Sequence, residues 1–356
     1  MKCLFIINAI WLFANSQVRA QKLNLVYTTN QNSNTVSVVD ADKREVVGAI
    51  VLGYPASDPA IFHPLYNGDI NVHGINYDPV NGKLAVVSTT SNSVALIDAS
   101  KAVVERKAYV GRNPHEPRFT KNGKEIWITV RGENYVVILD AHTLHEKSRI
   151  ILDEGPGMVA FSSDGKIAYV SSSFDSNFWI IDACSRKILK TLIMPSRFSP
   201  FLNITNDGRE VWVTHKDVGM VTRVDTRSHQ IIESFKTGPI TNHLAFSDSL
   251  SFVTVGGENK IKVYSISQAN RATLIKEIIT DNLPHGIWYH SGRNEVYVTS
   301  ELSNTMHILN VKTLEIEKTL SIGERPQALI PVSANGNIKQ IATTLRILTK
   351  FKGPAR

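Results

Sequence analysis

Histidine offers this chain its richest chemistry. Four of the eleven stand where a repeat would bring them together. Aligning the sequence on the residue that ends each short apolar run gives Tyr77, Phe119, Phe161, Ile204, Phe246 and Tyr289. Four positions earlier stand His73, His115, Gly157, Pro200, Asn242 and His285, with His243 one step further on. Neutral imidazoles ligate zinc, copper, nickel or iron, and protonated ones bind anions. A transition metal needs two or three ring nitrogens at about 2 Å. The sequence has no HExxH, no CxxC and no local Cys/His cluster, so a metal site here rests on tertiary geometry alone. The expected metal ligands are His73, His115, His243, His285 and His215. Arg131, Glu116 and His63 are the expected cofactor-binding side chains, with Glu301 beside them.

Scattered residues converge only if a repeated unit presents them alike. Asn113 to Leu152 shows that unit. A Pro-His turn leads into a short strand, Glu116 to Thr120. Lys121-Asn122-Gly123-Lys124 turns the chain. Glu125 to Val130 is β-branched and aromatic, as a pleated surface prefers. A polar loop, Tyr135 to Asp140 and an outer strand, His145 to Leu152, complete it. Four strands in about forty residues describe a propeller blade. The Asp closing the third strand recurs at Asp98, Asp140, Asp182 and Asp225, in steps of 42, 42 and 43 residues. The second strand recurs seven times, from Val26-Tyr27-Thr28-Thr29 to Val296-Tyr297-Val298-Thr299.

The expected fold is all-β: a single seven-bladed β-propeller of four-stranded antiparallel blades over residues 21–335. Blade 1 lacks an innermost strand at the N-terminus. Arg325 to Val332 has that strand's pattern, so a C-terminal strand is expected to complete blade 1 and close the ring. Residues 54–72, rich in Pro, Gly and Asp, form an insertion between blades 1 and 2, where loops tend to carry function. The tail, 336–356, is basic and reads as a short amphipathic helix on the propeller or on an anionic surface, or as a frayed end. In a propeller the loops leading into the first strands and those between second and third strands share one end of the channel. That end is where the histidines are expected.

Tyr27-Thr28-Thr29-Asn30 followed by Asn34 to Asp40 resembles the tyrosine-valine-threonine-asparagine (YVTN) repeat family of β-propellers, to which YncE-like secreted proteins belong. The likeness runs from about Leu25 to Val332. It implies the fold and an exported protein, and says little about activity. Pro114 to Phe119 is similar to the channel-mouth segments of the haem-binding propeller of nitrite reductases. Pro284-His285-Gly286 is similar to a turn of propeller lactonases. A YncE-like resemblance also brings single-stranded DNA into view. That partner would need Arg112, Arg118, Arg131 and Lys216 for charge, with Tyr54, Phe62 and Tyr66 for stacking.

Composition narrows the classes. Apolar content of 42%, charged content of 20% and a net charge of +7 fit a water-soluble domain without a strong pull toward nucleic acid. Residues 1–20 read as a signal peptide: Lys2, an apolar stretch from Cys3 to Ala14, and Val18-Arg19-Ala20 before the cut. Cleavage after Ala20 implies a periplasmic or extracellular protein, and no later stretch is long enough to span a bilayer. Only Cys184 would remain, so no internal disulfide can form. There is no G-x-S-x-G elbow, no P-loop and no CxxCH haem attachment. The leading expectation is a binding scaffold with a small-molecule or metal ligand at the channel mouth; a protein partner stays open. The alternative is an enzyme dependent on a transition metal or haem-like cofactor held by the channel-mouth histidines.

Overall fold

A computed structural model describes residues 21–266 and 271–347. The expected signal peptide and the last nine residues of the tail lie outside them. Seven four-stranded antiparallel sheets make up the molecule. Blades 2 to 7 each take four consecutive strands. Blade 1 is completed by Pro326–Gly336, which pairs with Gln21–Asn30 in the register Val26↔Pro331 and Tyr27↔Ile330. The two segments are thus hydrogen-bonded into one sheet, and blade 1 gains the innermost strand that every other blade has.

The strands follow from how the blades stack. Middle strands have sheets packed on both faces, so they bury nearly every residue, as in Glu125–Val130 and Tyr135–Asp140. This is why they read as continuous apolar runs rather than alternations. Trp127, Trp179, Trp212, Tyr27, Tyr169 and Tyr297 are the largest fully buried side chains. Outer strands, such as Val103–Tyr109, face water and alternate irregularly.

The recurring Asp has a local cause. Its carboxylate accepts hydrogen bonds from the two or three backbone amides after it and closes the turn to the outer strand. Asp140 takes His142 and Thr143 amides at 3.1 and 2.9 Å. Asp98 takes Ser100 and Lys101, and Asn310 does the same for Lys312 in blade 7.

Two segments depart from the repeat. In the insertion, Asp58 caps a 3-10 turn, Pro59–Phe62, and the Tyr54 amide donates to the Tyr66 hydroxyl at 3.0 Å. The tail forms a helix, Ile338–Thr344, that buries Ile341 against the blade 1 core. Arg346 then exchanges two backbone hydrogen bonds with Ala49 on the outer strand of blade 1. Of the tail's expected states, the helix on the propeller is the one found for its described part. Among the described residues no helix is long and apolar enough to cross a membrane.

Closure by the C-terminal strand should make folding depend on it. A chain ending at Glu324 exposes the full edge of Gln21–Asn30, and should lose its cooperative thermal transition and self-associate in gel filtration. A monomer that melts as the full chain does would contradict the closure argument.

Candidate functional site

The first strand of a blade opens with a left-handed residue. Asn71, Asn113, Gly155, Ile240, Leu283 and Arg325 all have φ between 51° and 59° and directly precede such a strand. Asn and Gly tolerate this region; Ile240 is strained there. Four of these turns are tied to the preceding blade. Asn34, Asn92, Asn259 and Asn304 accept the amides of Asn71, Asn113, Leu283 and Arg325 at 2.8–2.9 Å.

A β-bulge follows at once. In blade 3, Pro114 pairs with Val130 and Pro117 with Ile128, so His115 and Glu116 together oppose Thr129. The same two-against-one count sets His73-Gly74 against Val87, Asn242-His243 against Thr254 and His285-Gly286 against Thr299. Bulges re-aim side chains, and these turn the histidines toward the channel. Gly74 is required at its bulge: an added Cβ would lie 2.3 Å from the His115 carbonyl oxygen.

The bulge is filled by the threonine opposite it. Thr254 Oγ1 accepts from the His243 amide at 2.9 Å and donates to the His285 carbonyl of the next blade at 2.8 Å. Thr129 likewise serves the Glu116 amide and the Gly157 carbonyl. Thr29 joins the Ala328 amide to the His73 carbonyl. One hydroxyl therefore fixes its own bulge and the backbone of the next blade's register residue.

His73, His115, His243 and His285 converge at the channel mouth and are buried. They form two close pairs, with ring centroids 4.6 Å apart for His73 and His115 and 4.5 Å for His243 and His285. Phe201 stacks flat under His243 at 3.9 Å. The four rings line a cavity of about 130 Å³ with Arg131, Lys216, Asn242, Glu301 and Gln327. His115 Nδ1 donates to the Gly157 carbonyl at 2.7 Å, and His285 Nδ1 to the Gln327 carbonyl at 3.0 Å. A carbonyl can only accept, so both rings are held as Nδ1–H tautomers with Nε2 free to accept or ligate.

Burial sets the charge states. It holds the His73 and His115 imidazoles well below their ordinary range, and the Arg131 charge adds to this. Burial and then His285 do the same to His243. His285 is pushed down to about 3 by burial, with Lys216 adding. Glu116 lies beside the cluster, and burial drives its carboxyl up to about 8 against the pull of Arg118 and Arg131. His73 Nδ1 and Glu116 Oε1 lie 4.0 Å apart. Both are neutral near pH 7, so this contact is not an ion pair, and neither atom has a hydrogen-bond partner. The buried Arg131 Nε and Asn242 Oδ1 are also without partners. Glu301 is held at 2.9 Å by Arg325. Lys216 has no acidic side chain in salt-bridge range among the described residues.

The structure does not bring the other two expected residues to this cluster. His215 is buried inside blade 5, with Nδ1 on the Ser199 hydroxyl and Nε2 on the Thr222 hydroxyl, both at 2.7 Å. Both nitrogens are engaged, so it stiffens the blade. His63 is exposed on the insertion, where its Nδ1 accepts the Leu65 amide at 3.2 Å. Among the described residues no three His, Cys, Asp or Glu side chains are grouped to hold a metal ion. Arg118 is drawn inward, donating to the Val159 carbonyl, and Trp127 and Trp212 are fully buried. Of the side chains expected for single-stranded DNA, Arg118 is thus withdrawn from the surface, while Tyr54 and Phe62 are exposed. Sequence reading missed the bulge-filling threonines, although their fixed place in the second-strand repeat was a usable signal.

No protein-family profile matches the chain. A protein called YncE from Salmonella typhi, itself described as uncharacterized, is 23% identical over 241 residues, spanning 61% of this chain and 67% of the relative. NirF from Stutzerimonas stutzeri is 24% identical over 298 residues, spanning 78% and 72%. These matches join the seven blades just described. The chain is a seven-bladed β-propeller similar in sequence to YncE and NirF. Among solved structures, the dihydro-haem d1 dehydrogenase NirN in complex with DHE superposes on this chain with a TM-score of 0.60 at 15% identity, covering 86% of this chain and 65% of that one. That likeness speaks for the fold.

The buried groups give stability opposing pH dependences, the imidazoles acting below about pH 6.5 and Glu116 up to about 8. Below about pH 6.5 the unfolded chain takes up protons that the depressed folded imidazoles refuse, so acid destabilises the fold. Between its ordinary carboxyl value and about 8, Glu116 is protonated only when folded, so stability falls as pH rises through that window. Glu116→Gln should abolish this alkaline limb, worth roughly 2–4 kcal/mol between about pH 5 and 8 at about 1.4 kcal/mol per pK unit, and leave the acid limb. Urea unfolding across pH reads both; an unchanged alkaline limb in the variant would contradict the assignment.

Proposed function

We propose that this is an exported propeller whose channel mouth binds a small acidic molecule. One observation carries the reading. Arg131 and Lys216 stand together in a cavity whose imidazoles and Glu116 are neutral, and Glu301 is engaged by Arg325. Two cations facing one carboxylate that is already shared with Arg325 favour an anion in a low-dielectric hollow. The cavity of about 130 Å³ accommodates an acidic arm, with the rest of the ligand resting on the loops above.

A second reading, that the ligand carries a metal, is favoured by the tautomers. The Nδ1–H groups of His115 and His285 are locked to carbonyls, which leaves Nε2 lone pairs for coordination. No bare ion is catered for among the described residues, so a metal would arrive already ligated, as in a haem-like tetrapyrrole with acidic side chains. These residues fit such a group: Arg131 and Lys216 would hold its acid groups, and His115 or His285 would supply an imidazole. The group itself would bring redox or ligand-binding chemistry. The names of NirF and NirN lend this reading support.

Absorbance and calorimetric titration with iron protoporphyrin and with metal-free protoporphyrin tests both readings. Both probes should bind, and Arg131→Ala with Lys216→Ala should weaken both by at least about tenfold. His115→Ala with His285→Ala should weaken only the iron form and remove its spectral shift. Failure of both porphyrins, and of a simple dicarboxylate such as succinate, to bind would overturn the proposal.

A further inference from the structure

The two segments that break the sevenfold pattern meet at one place, lined by residues other than those of the channel mouth. The insertion and the C-terminal extension both lie against blade 1. Between them is a groove of about 530 Å³ whose walls include Tyr54, His63, Leu65, Tyr66 and Arg346. The surrounding surface is unusually apolar. Phe62 and Leu65 are 82% and 83% exposed, Ile347 62% and Tyr54 48%. Single exposed apolar residues are ordinary; a loop tip and a neighbouring chain end that gather four mark an interaction surface.

The local charge says what kind. The acids of the insertion are engaged: Asp58 caps the 3-10 turn, and Asp69 pairs with Lys107 at 2.7 Å. Arg346 is exposed, and its guanidinium has no acidic partner among the described residues. From Ser333 to the end the sequence carries Lys339, Arg346, Lys350, Lys352 and Arg356 and no acid at all. Exposed large apolar groups beside Arg346, in a segment whose sequence carries no acid, match one partner chemistry in both respects. Apolar side chains enter the boundary of the acyl layer, and basic ones meet lipid phosphate.

We propose that the edge of blade 1 formed by Tyr54, Phe62, Leu65, Arg346 and Ile347 docks the protein on an anionic membrane surface. Phe62 and Leu65 insert, Tyr54 lies at head-group level, and Arg346 contacts phosphate. This is independent of what the channel mouth binds.

Sedimentation of the purified protein with vesicles tests it. The protein should pellet with phosphatidylcholine vesicles containing one third phosphatidylglycerol, and far less with phosphatidylcholine alone. Salt should weaken the binding. Phe62→Ser with Leu65→Ser, and separately Arg346→Glu, should each lower the partition coefficient by roughly tenfold. All these side chains are exposed, so thermal melting should stay unchanged. Equal pelleting with both vesicle types, no pelleting, or unaffected variants would overturn the proposal. Binding of a single-stranded oligonucleotide that these variants abolish, without vesicle binding, would assign the surface to nucleic acid instead. Soluble glycerol phosphate at vesicle-equivalent concentration should not compete; full competition would mean a free-phosphate site and not a docking surface.

Discussion

A single hydroxyl placed in each inner-strand bulge holds the channel mouth together. Thr29, Thr129, Thr254 and Thr299 each bond the bulge of their own blade and a carbonyl of the next. Their reach is what converts a seven-membered ring of similar sheets into one rigid collar. Where the pattern lapses, the collar changes character. Val87 cannot donate at all, and in blade 4 the Ser171 hydroxyl has no partner. Blade 5 runs without a bulge, pairing Phe201 to Thr214 and on to Ile204 without a break. The imidazoles gather in blades 6, 7, 2 and 3, with Gln327 of blade 1 between them, and the lapse at Val87 falls inside that arc.

The collar then determines chemistry through desolvation. Imidazoles at an open surface would be half-charged near neutrality. Here burial keeps them neutral, and the carbonyls of neighbouring blades choose their tautomer. Glu116 is pushed the opposite way by the same burial, which leaves Glu301, paired with Arg325, as the carboxylate of the cavity. What remains is a polar, mostly uncharged hollow with two cations at its rim.

Much of the architecture was legible in the chain. The Asp of each third strand marks a turn because its carboxylate binds the following amides, so a physical need recurs at every blade. The closing strand was visible because Gln21–Asn30 begins a blade at its second position. The shared register of His73, His115 and His285 was legible for the same reason. Residues outside the repeat were harder. His215 lies at a strand end facing the channel side in sequence terms, yet Ser199 and Thr222 draw its ring into the blade. His63 belongs to an insertion whose path depends on Tyr54, Tyr66 and Asp58, and no periodicity reports on that. The burial that shifts Glu116 depends on how adjacent sheets pack at Gly74, which one strand alone does not reveal.

The histidine ring nitrogens offer the most direct test of this account. Long-range nitrogen–proton correlation spectra of nitrogen-15 histidine-labelled protein, titrated from neutral to acid pH, report each ring's charge and tautomer. His115 and His285 should appear as neutral Nδ1–H tautomers at neutral pH and stay neutral well below the ordinary imidazole range. Imidazolium signals at neutral pH, or Nε2–H tautomers at these two positions, would contradict it.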